Sequence, residues 1–132
     1  MKIVQAGFTL IELVVVIVIL GILAAVAIPK FVDLSSEADT AAMQGVVGGV
    51  SSAMAINYAA CAAVNNVPGG KCIAVSNCDN TTVGNILTSG VPTGYGFSGA
   101  ASASATNGDS FTCTVAKTGV TSGTATGIVA GK

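Results

Sequence analysis

Residues 7–29 read GFTLIELVVVIVILGILAAVAIP, and Glu12 is the only charged residue between Ile3 and Pro29. At 1.5 Å per residue, the apolar segment that begins at Phe8 is roughly 33 Å long as a helix, which is enough to cross a bilayer. A lone carboxylate inside lipid is unfavourable by about 2.5–3.5 kcal/mol at a helix centre, so it usually has a partner or a function. A cut between Gly7 and Phe8 would supply a partner, because the new amine would lie one helical turn from Glu12.

The first residues of the chain favour such a cut over an ordinary secretory signal. Residues 1–7 form a short leader with one positive charge, Lys2. Ala25-Val26-Ala27 does offer the small-residue pattern of conventional cleavage. That alternative, however, would place Glu12 inside the apolar region of a signal, where a charge is unfavourable. A plain membrane anchor, with Glu12 reaching towards the membrane surface, is the remaining alternative.

The N-terminal segment resembles that of type IV pilins. The resemblance rests on the lysine-containing leader, Gly7 before the cut, Phe8 after it, Glu12 five residues after the glycine, and Pro29 near the end of the apolar run. It is specific to about residue 31, and ELVVVIVILGILAAVAIPKF looks most like the mannose-sensitive-haemagglutinin-like branch of major pilins. The resemblance implies cleavage after Gly7, N-methylation of Phe8, and pairing of Glu12 with the terminal amine of the adjacent subunit.

Gly21 and Pro29 are the two weak points of the apolar helix. Pro29 cannot donate the backbone hydrogen bond to Ala25, so a kink or loosened turn is expected before it. The resemblance further implies that the stretch between Gly21 and Pro29 can unwind in a filament. Packing and capping alone would also explain both residues.

Beyond residue 30 the helix is expected to continue as an amphipathic piece. Its apolar positions recur at spacings of three and four, which marks one buried face: Met43, Val46, Val47, Val50, Met54 and Asn57/Tyr58. Asn65-Asn66 followed by Pro68-Gly69-Gly70 predicts the helix end near residues 63–66. A helix from Phe8 to Ala63 would be roughly 84 Å long, so no small domain can bury all of it.

The remainder reads as a small, loop-rich β domain. Residues 71–75 and 111–116 are predicted strands, residues 126–129 a weaker third, and residues 83–87 either a helical turn or a short strand. Residues 98–110 and 118–127 are predicted to be loops or turns. The expected organisation is a leader (1–7), an apolar helix (8–30), an amphipathic continuation (31–66) and a β domain (67–132). The fold class is therefore α+β and pilin-like, a long helix packed on a small antiparallel sheet.

The four cysteines, Cys61, Cys72, Cys78 and Cys113, all lie outside the apolar segment, which suits two disulfides in an oxidising compartment. Zinc is disfavoured because the C-x2-C spacing of a zinc ribbon is missing. We favour Cys61–Cys72, a short staple across a turn, with Cys78–Cys113. The other two connectivities stay open.

Composition excludes several classes of function. Only 8% of the 132 residues are charged, and all five basic residues are lysines, which argues against a nucleic-acid footprint. The chain has no histidine, so no Ser/His/Asp or Cys/His arrangement is available, and no enzyme, metal or cofactor site is expected. The aromatic residues are read as core packing.

The resemblance implies a structural subunit that is first a single-pass inner-membrane precursor and then part of an extracellular pilus. Its expected partners are other copies of itself, a prepilin peptidase, the inner-membrane assembly machinery and, before assembly, membrane lipid. The filament would serve adhesion, motility or DNA uptake. The alternative function is that of a type II secretion pseudopilin, although the acidic residues of the calcium site usual in major pseudopilins are sparse here.

Overall fold

The computed structural model describes residues 7–132, without the side chains of residues 29–33. Its first element is helix α1, Leu10–Ala62, of 53 residues. By spatial contacts the chain divides into two compact units between Glu37 and Ala38, so α1 contributes to both. Most of the predicted leader lies outside the described residues, and the predicted partition into four segments remains a prediction.

Helix α1 ends where the sequence predicts a stop. After Ala62, the amide of Asn66 donates to the carbonyl of Cys61 at 2.7 Å, which satisfies one of the free carbonyls of the last turn. Asn65 and Asn66 both have positive φ values, 54° and 58°. Asparagine tolerates this left-handed conformation better than most residues, so the Asn-Asn pair is suited to reversing the chain here.

The second unit contains four further elements after its part of α1. They are helix α2 (Asn80–Ile86) and strands β1 (Tyr95–Ser98), β2 (Ser110–Lys117) and β3 (Val120–Ile128). The strands form one antiparallel sheet in the order β1-β2-β3. Phe97 pairs with Val115, and Cys113 pairs with Ala125, while the β2–β3 register shifts between Val115 and Lys117. The expected α+β fold with a small antiparallel sheet is confirmed.

The core of this unit lies between one face of α1 and the sheet. Met43, Val50 and Met54 are almost fully buried, together with Val115 and Ala125 of the sheet. The predicted apolar face of the amphipathic helix is thus confirmed. The helix approaches the sheet closely at Gly123, where an added Cβ would lie 3.2 Å from Cγ of Met43 and would also meet Val47. Small residues on β3 therefore permit this packing.

The prediction of a strand at residues 71–75 is wrong. This segment makes only isolated bridges, Gly69 with Cys72 and Val75 with Ala130. The reason is that its backbone is bound by a side chain of α1. Asn57, only 6% exposed, accepts from the amide of Ile73 at 3.0 Å and donates to the carbonyl of Ile73 at 2.8 Å. These bonds replace the ladder that a neighbouring strand would supply.

Two other local predictions are corrected or resolved. The predicted turn region at 118–127 is mostly strand β3, and the strand β1 was not predicted. Residues 83–86 of the ambiguous segment 83–87 belong to helix α2, which Asp79 caps by accepting from the amide of Thr82 at 2.7 Å, and Leu87 follows the helix with an extended backbone. Residues 99–109 form a loop without strand, as expected.

The structure joins Cys61 to Cys72, with Cα atoms 4.4 Å apart, and Cys78 to Cys113, with Cα atoms 5.6 Å apart. All four residues are buried. The first bridge ties the end of α1 to the following turn, and the second ties the segment before α2 to strand β2.

Replacing both Cys78 and Cys113 with serine is expected to destabilise the second unit by roughly 3–4 kcal/mol, because the bridge closes a long loop of the unfolded chain. The matched control replaces Cys61 and Cys72, whose shorter loop predicts a loss of about 3 kcal/mol. Denaturant titration of both double variants measures the difference. Non-reducing peptide mapping checks the pairing, and a Cys61-to-Cys113 crosslink would show that it is wrong.

Candidate assembly site at the start of the long helix

The start of α1 is closed by a reciprocal pair of hydrogen bonds between Thr9 and Glu12. The amide of Thr9 donates to Oε2 of Glu12 at 2.9 Å, and the amide of Glu12 donates to Oγ1 of Thr9 at 3.3 Å. The Thr9 hydroxyl also donates to Oε2 at 2.6 Å. This is a capping box, which satisfies amides that the helix itself leaves unpaired. The signal T-x-x-E was readable in the sequence, and our sequence reasoning missed it.

The capping box uses one oxygen of the Glu12 carboxylate. Both bonds from Thr9 reach Oε2, and neither uses Oε1. An additional cationic donor, such as an amine, can therefore bind Oε1 without opening the start of the helix. Since Glu12 also lies in the first turn of α1, its negative charge is favourably placed relative to the helix dipole.

The bond between Gly7 and Phe8 lies just before this cap. Residues 7–9 are not helical, and Phe8 is 80% exposed. A Cβ added at Gly7 would meet nothing within 4 Å. Nothing in the described part of this chain therefore requires glycine at position 7, and a requirement for it would arise in a protein that acts on this bond.

The helical segment after the cap is apolar on every side and exposed. Its large aliphatic side chains range from 39% exposed at Val14 to 81% at Leu10. Leu10–Ile28 is long and apolar enough to cross a membrane. Leu34–Ala62 also passes this test of length and composition, but one of its faces lies in the core of the second unit. A helix that is hydrophobic all round needs lipid or other protein around it. Because the side chains of Leu10–Ile28 are exposed, lipid or another protein must supply these surroundings.

Gly21 and Pro29 both lie inside α1, whose helical assignment continues through them. A Cβ added at Gly21 would meet nothing within 4 Å, so no close contact in the described part of the chain explains this glycine. The side chain of Pro29 lies outside the described residues. The kink between the two stays a prediction.

Two charged side chains of the second unit, Lys117 and Asp39, form an ion pair. Lys117 of β2 donates to Asp39 of α1 at 2.8 Å and lies 5.6 Å from the centre of the Tyr95 ring. The hydrogen bond to Asp39 raises the pKa of Lys117 above its usual value. This pair connects the helix to the sheet.

The second unit is expected to lose stability in acid through Asp79 and Asp109. The amide of Thr82 holds the pKa of Asp79 below its usual value, and the amide of Thr106 does the same for Asp109. As the pH falls, these two aspartates therefore bind protons in the unfolded chain before they do so in the folded chain. Their stabilisation of the fold is complete above the usual aspartate pKa and is lost as the pH falls through the lowered pKa of the folded chain. Melting temperatures recorded against pH should fall less steeply for Asp79→Asn and Asp109→Asn than for the unchanged chain. Parallel curves for all three proteins would contradict this expectation.

Comparison with known proteins gives a consistent family signal. A profile described as "Prokaryotic N-terminal methylation motif" matches residues 3–28. The "Type IV major alpha-pilin" of Moraxella bovis is 32% identical over 123 residues, which cover 89% of this chain and 77% of the relative. The "Type IV narrow pilus major component PilA5" of Thermus thermophilus is 56% identical over 50 residues, 38% of this chain and 43% of the relative.

A third relative comes from a different kind of system. The "Type II secretion system core protein G" of Pseudomonas aeruginosa is 42% identical over 50 residues, which cover 38% of this chain and 35% of that protein. The chain thus matches less than half the length of the Thermus and Pseudomonas proteins. No solved structure matches the chain.

Proposed function

This chain belongs to the type IV pilin family, and on that basis we propose that it is the structural subunit of a bacterial surface filament and polymerises through its N-terminal helix. One observation carries the proposal. The exposed segment Leu10–Ile28 is apolar on all sides and has a single carboxylate, Glu12, in its first turn. Such a segment is stable in a membrane and equally in a bundle of copies of itself.

Maturation is proposed to remove residues 1–7 and to methylate the new amine of Phe8, with a prepilin peptidase as the enzyme. The match of residues 3–28 to a methylation motif supports this step. The exposed, non-helical position of the Gly7–Phe8 bond supports it as well, because a peptidase must bind the chain around that bond in an extended form.

Assembly is proposed to bring the amine of Phe8 of one subunit to the Glu12 carboxylate of the next. The bonds from Thr9 leave Oε1 unused, which supports this role, since the amine can bind there while Thr9 keeps Oε2. Lipid and a bundle of apolar helices are similarly apolar, so transfer between them changes the free energy little, and close packing with a charge pair decides the direction. The pairing also sets how far each incoming helix slides along its neighbours.

The proposed path of the protein runs from the inner membrane, as a single-pass precursor, to an extracellular filament. Inner-membrane assembly machinery and membrane lipid are its partners before assembly, and other copies of the chain are its partners afterwards. Membership of the mannose-sensitive-haemagglutinin-like branch is a finer proposal, supported by the run ELVVVIVILGILAAVAIPKF.

The second candidate is a subunit of a type II secretion pseudopilus, favoured by the similarity to the Pseudomonas protein. That similarity extends over 38% of this chain, whereas similarity to the Moraxella pilin extends over 89%. The surface filament is therefore the better supported function.

Deletion of the gene from its native host separates the two functions. We expect surface filaments built of this subunit to be lost from sheared preparations viewed by electron microscopy, while secretion of exoproteins continues. Filaments that persist together with a block in secretion would favour the pseudopilus instead.

A further inference from the structure

Asn107 is the only asparagine in the sequence that is followed by glycine. In an Asn-Gly pair, the glycine amide nitrogen can lose its proton to solvent and attack Cγ of the asparagine side chain. A new C–N bond forms, the Cγ–Nδ2 bond breaks, and Nδ2 leaves as ammonia. Water then opens the resulting succinimide to aspartate or isoaspartate. No oxidant, metal or cofactor takes part, so at a given pH and temperature the rate depends on how the fold holds these groups.

The fold requires glycine at position 108. Its φ is +96°, a value that residues with a side chain rarely adopt. In addition, a Cβ there would lie 2.9 Å from the hydroxyl oxygen of Tyr58. The reactive pair is therefore a consequence of how this loop packs against the long helix.

All three groups that must move for the reaction are bound by the last residues of the chain. The Gly108 amide, which would be the nucleophile, donates to the carbonyl of Val129 at 2.9 Å. The leaving nitrogen of Asn107 donates to the carbonyl of Lys132 at 2.8 Å, and its Oδ1 accepts from the Lys132 amide at 2.9 Å. We call residues 129–132 the C-terminal segment and its bonds to Asn107 and Gly108 the clasp.

The C-terminal segment is itself held firmly. Val129 and Ala130 are at most 1% exposed, and Ala130 exchanges two backbone bonds with Val75, at 2.8 and 3.1 Å. The Lys132 ammonium donates to the carbonyls of Ala103 and Ala105 in the loop before Asn107. The clasp thus opens only when several buried contacts open with it, which makes local opening uncommon.

We propose that Asn107-Gly108 is a latent self-modification site that the C-terminal segment keeps unreactive, and that deamidation releases this segment irreversibly. The amide nitrogen that donates to the Lys132 carbonyl becomes a carboxylate oxygen, which can only accept. Two acceptors then face each other, so the clasp loses a bond and gains a repulsion. The reaction does not depend on filament assembly. The fraction of subunits modified at Asn107 would increase with the time that the clasp has spent open.

The rate of deamidation tests the proposal. The full chain in detergent is incubated at mildly alkaline pH, and peptide mapping by mass spectrometry measures aspartate and isoaspartate at position 107. We expect the native chain to react at least about tenfold more slowly than the reduced chain in denaturant, because the reaction must wait for local opening. Equal rates in the two states would overturn the proposal.

Two variants locate the protection in the clasp. A chain ended at Gly131 loses both Lys132 partners of Asn107 and should react at least about fivefold faster than the native chain, because the loss of even one hydrogen bond of ordinary net strength corresponds to about that factor. Lys132→Ala keeps the backbone partners and should stay closer to the native rate. If the shortened chain fails to fold, the comparison of native and denatured protein still decides.

The consequence of the reaction is tested with Asn107→Asp. This variant should speed hydrogen exchange of the Ala130 amide, which donates to Val75 at 3.1 Å. Unchanged exchange at Ala130 would show that modification does not release the C-terminal segment.

Discussion

Replacing Glu12 with alanine is expected to abolish filament assembly while leaving cleavage after Gly7 intact. The variant keeps the apolar surface of Leu10–Ile28, so it should enter a membrane at least as well as the unchanged chain. What it loses is the carboxylate that, in the proposed assembly, binds the amine of a neighbouring Phe8. Filament yield in sheared preparations, measured beside the amount of processed subunit in the membrane, gives the result.

The capping box supplies a matched control for this experiment. Glu12 bonds Thr9 within its own chain, so loss of Glu12 also removes a helix cap. Thr9→Ala removes the threonine hydroxyl of the same cap, at about 0.5–2 kcal/mol, but keeps the carboxylate. We expect Thr9→Ala to assemble and Glu12→Ala to fail. Equal loss of filaments in both would show that capping, and not pairing between subunits, is the role of Glu12.

Glu12→Gln separates charge from hydrogen bonding at the same position. Glutamine can still accept from Thr9, so the cap is retained, but it has no charge with which to bind an amine. We expect assembly well below that of the unchanged chain. Filaments in normal amounts from this variant would contradict the ion pair.

Replacing Gly7 with leucine is expected to leave the chain uncut and unassembled. The space around Gly7 is open, so the substitution should not disturb the described fold. The loss would therefore arise in the peptidase, whose site would have to accept a side chain before the cut. Immunoblots of membranes, which separate precursor from mature subunit, provide the measurement.

Gly21→Ala is the control for this second prediction. Gly21 is also free of close neighbours, but it lies within the helix, where alanine is more favourable than glycine by about 1 kcal/mol. We expect normal processing of this variant. Cleavage of the Gly7→Leu chain before Phe8 would show that the cut does not require glycine at position 7, and cleavage of the unchanged chain at another bond would refute the assignment of the cut.

The long helix and its buried face could be predicted because both follow from periodicity along one element. Met43, Val50 and Met54 recur at helical spacing and are buried in the core. The end of the helix followed from the Asn-Asn pair, which takes up the left-handed conformation after Ala62. Apolar spacing and chain-stopping residues are local signals that need no knowledge of the rest of the fold.

Strand β3 was harder to predict than the long helix because it has few large side chains. Strand β3 carries mostly glycine, threonine, serine and alanine, and reads as a connector. Its small residues reflect the closeness of α1, as Gly123 beside Met43 illustrates. Residues 71–75 alternate like a strand in the sequence. In the structure, the backbone of Ile73 instead binds the side chain of Asn57, 16 residues away, and nothing in the local sequence indicates this contact.

At the candidate site, the sequence drew attention to Gly7, Phe8 and Glu12 through the lone charge in the apolar run and the resemblance to type IV pilins, and their roles stay proposals. The bonds of Thr9 to a single oxygen of Glu12 appeared only in the structure, and they are what leaves Oε1 available. The pairing between subunits needs a second copy, so it remains a proposal.

Intact-mass analysis of the subunit from purified surface filaments tests the proposed maturation and assembly together. We expect one dominant species that lacks residues 1–7, begins with Phe8 and carries one additional methyl group on its amine. Filaments whose subunit retains the leader, or begins after Ala27, would contradict it.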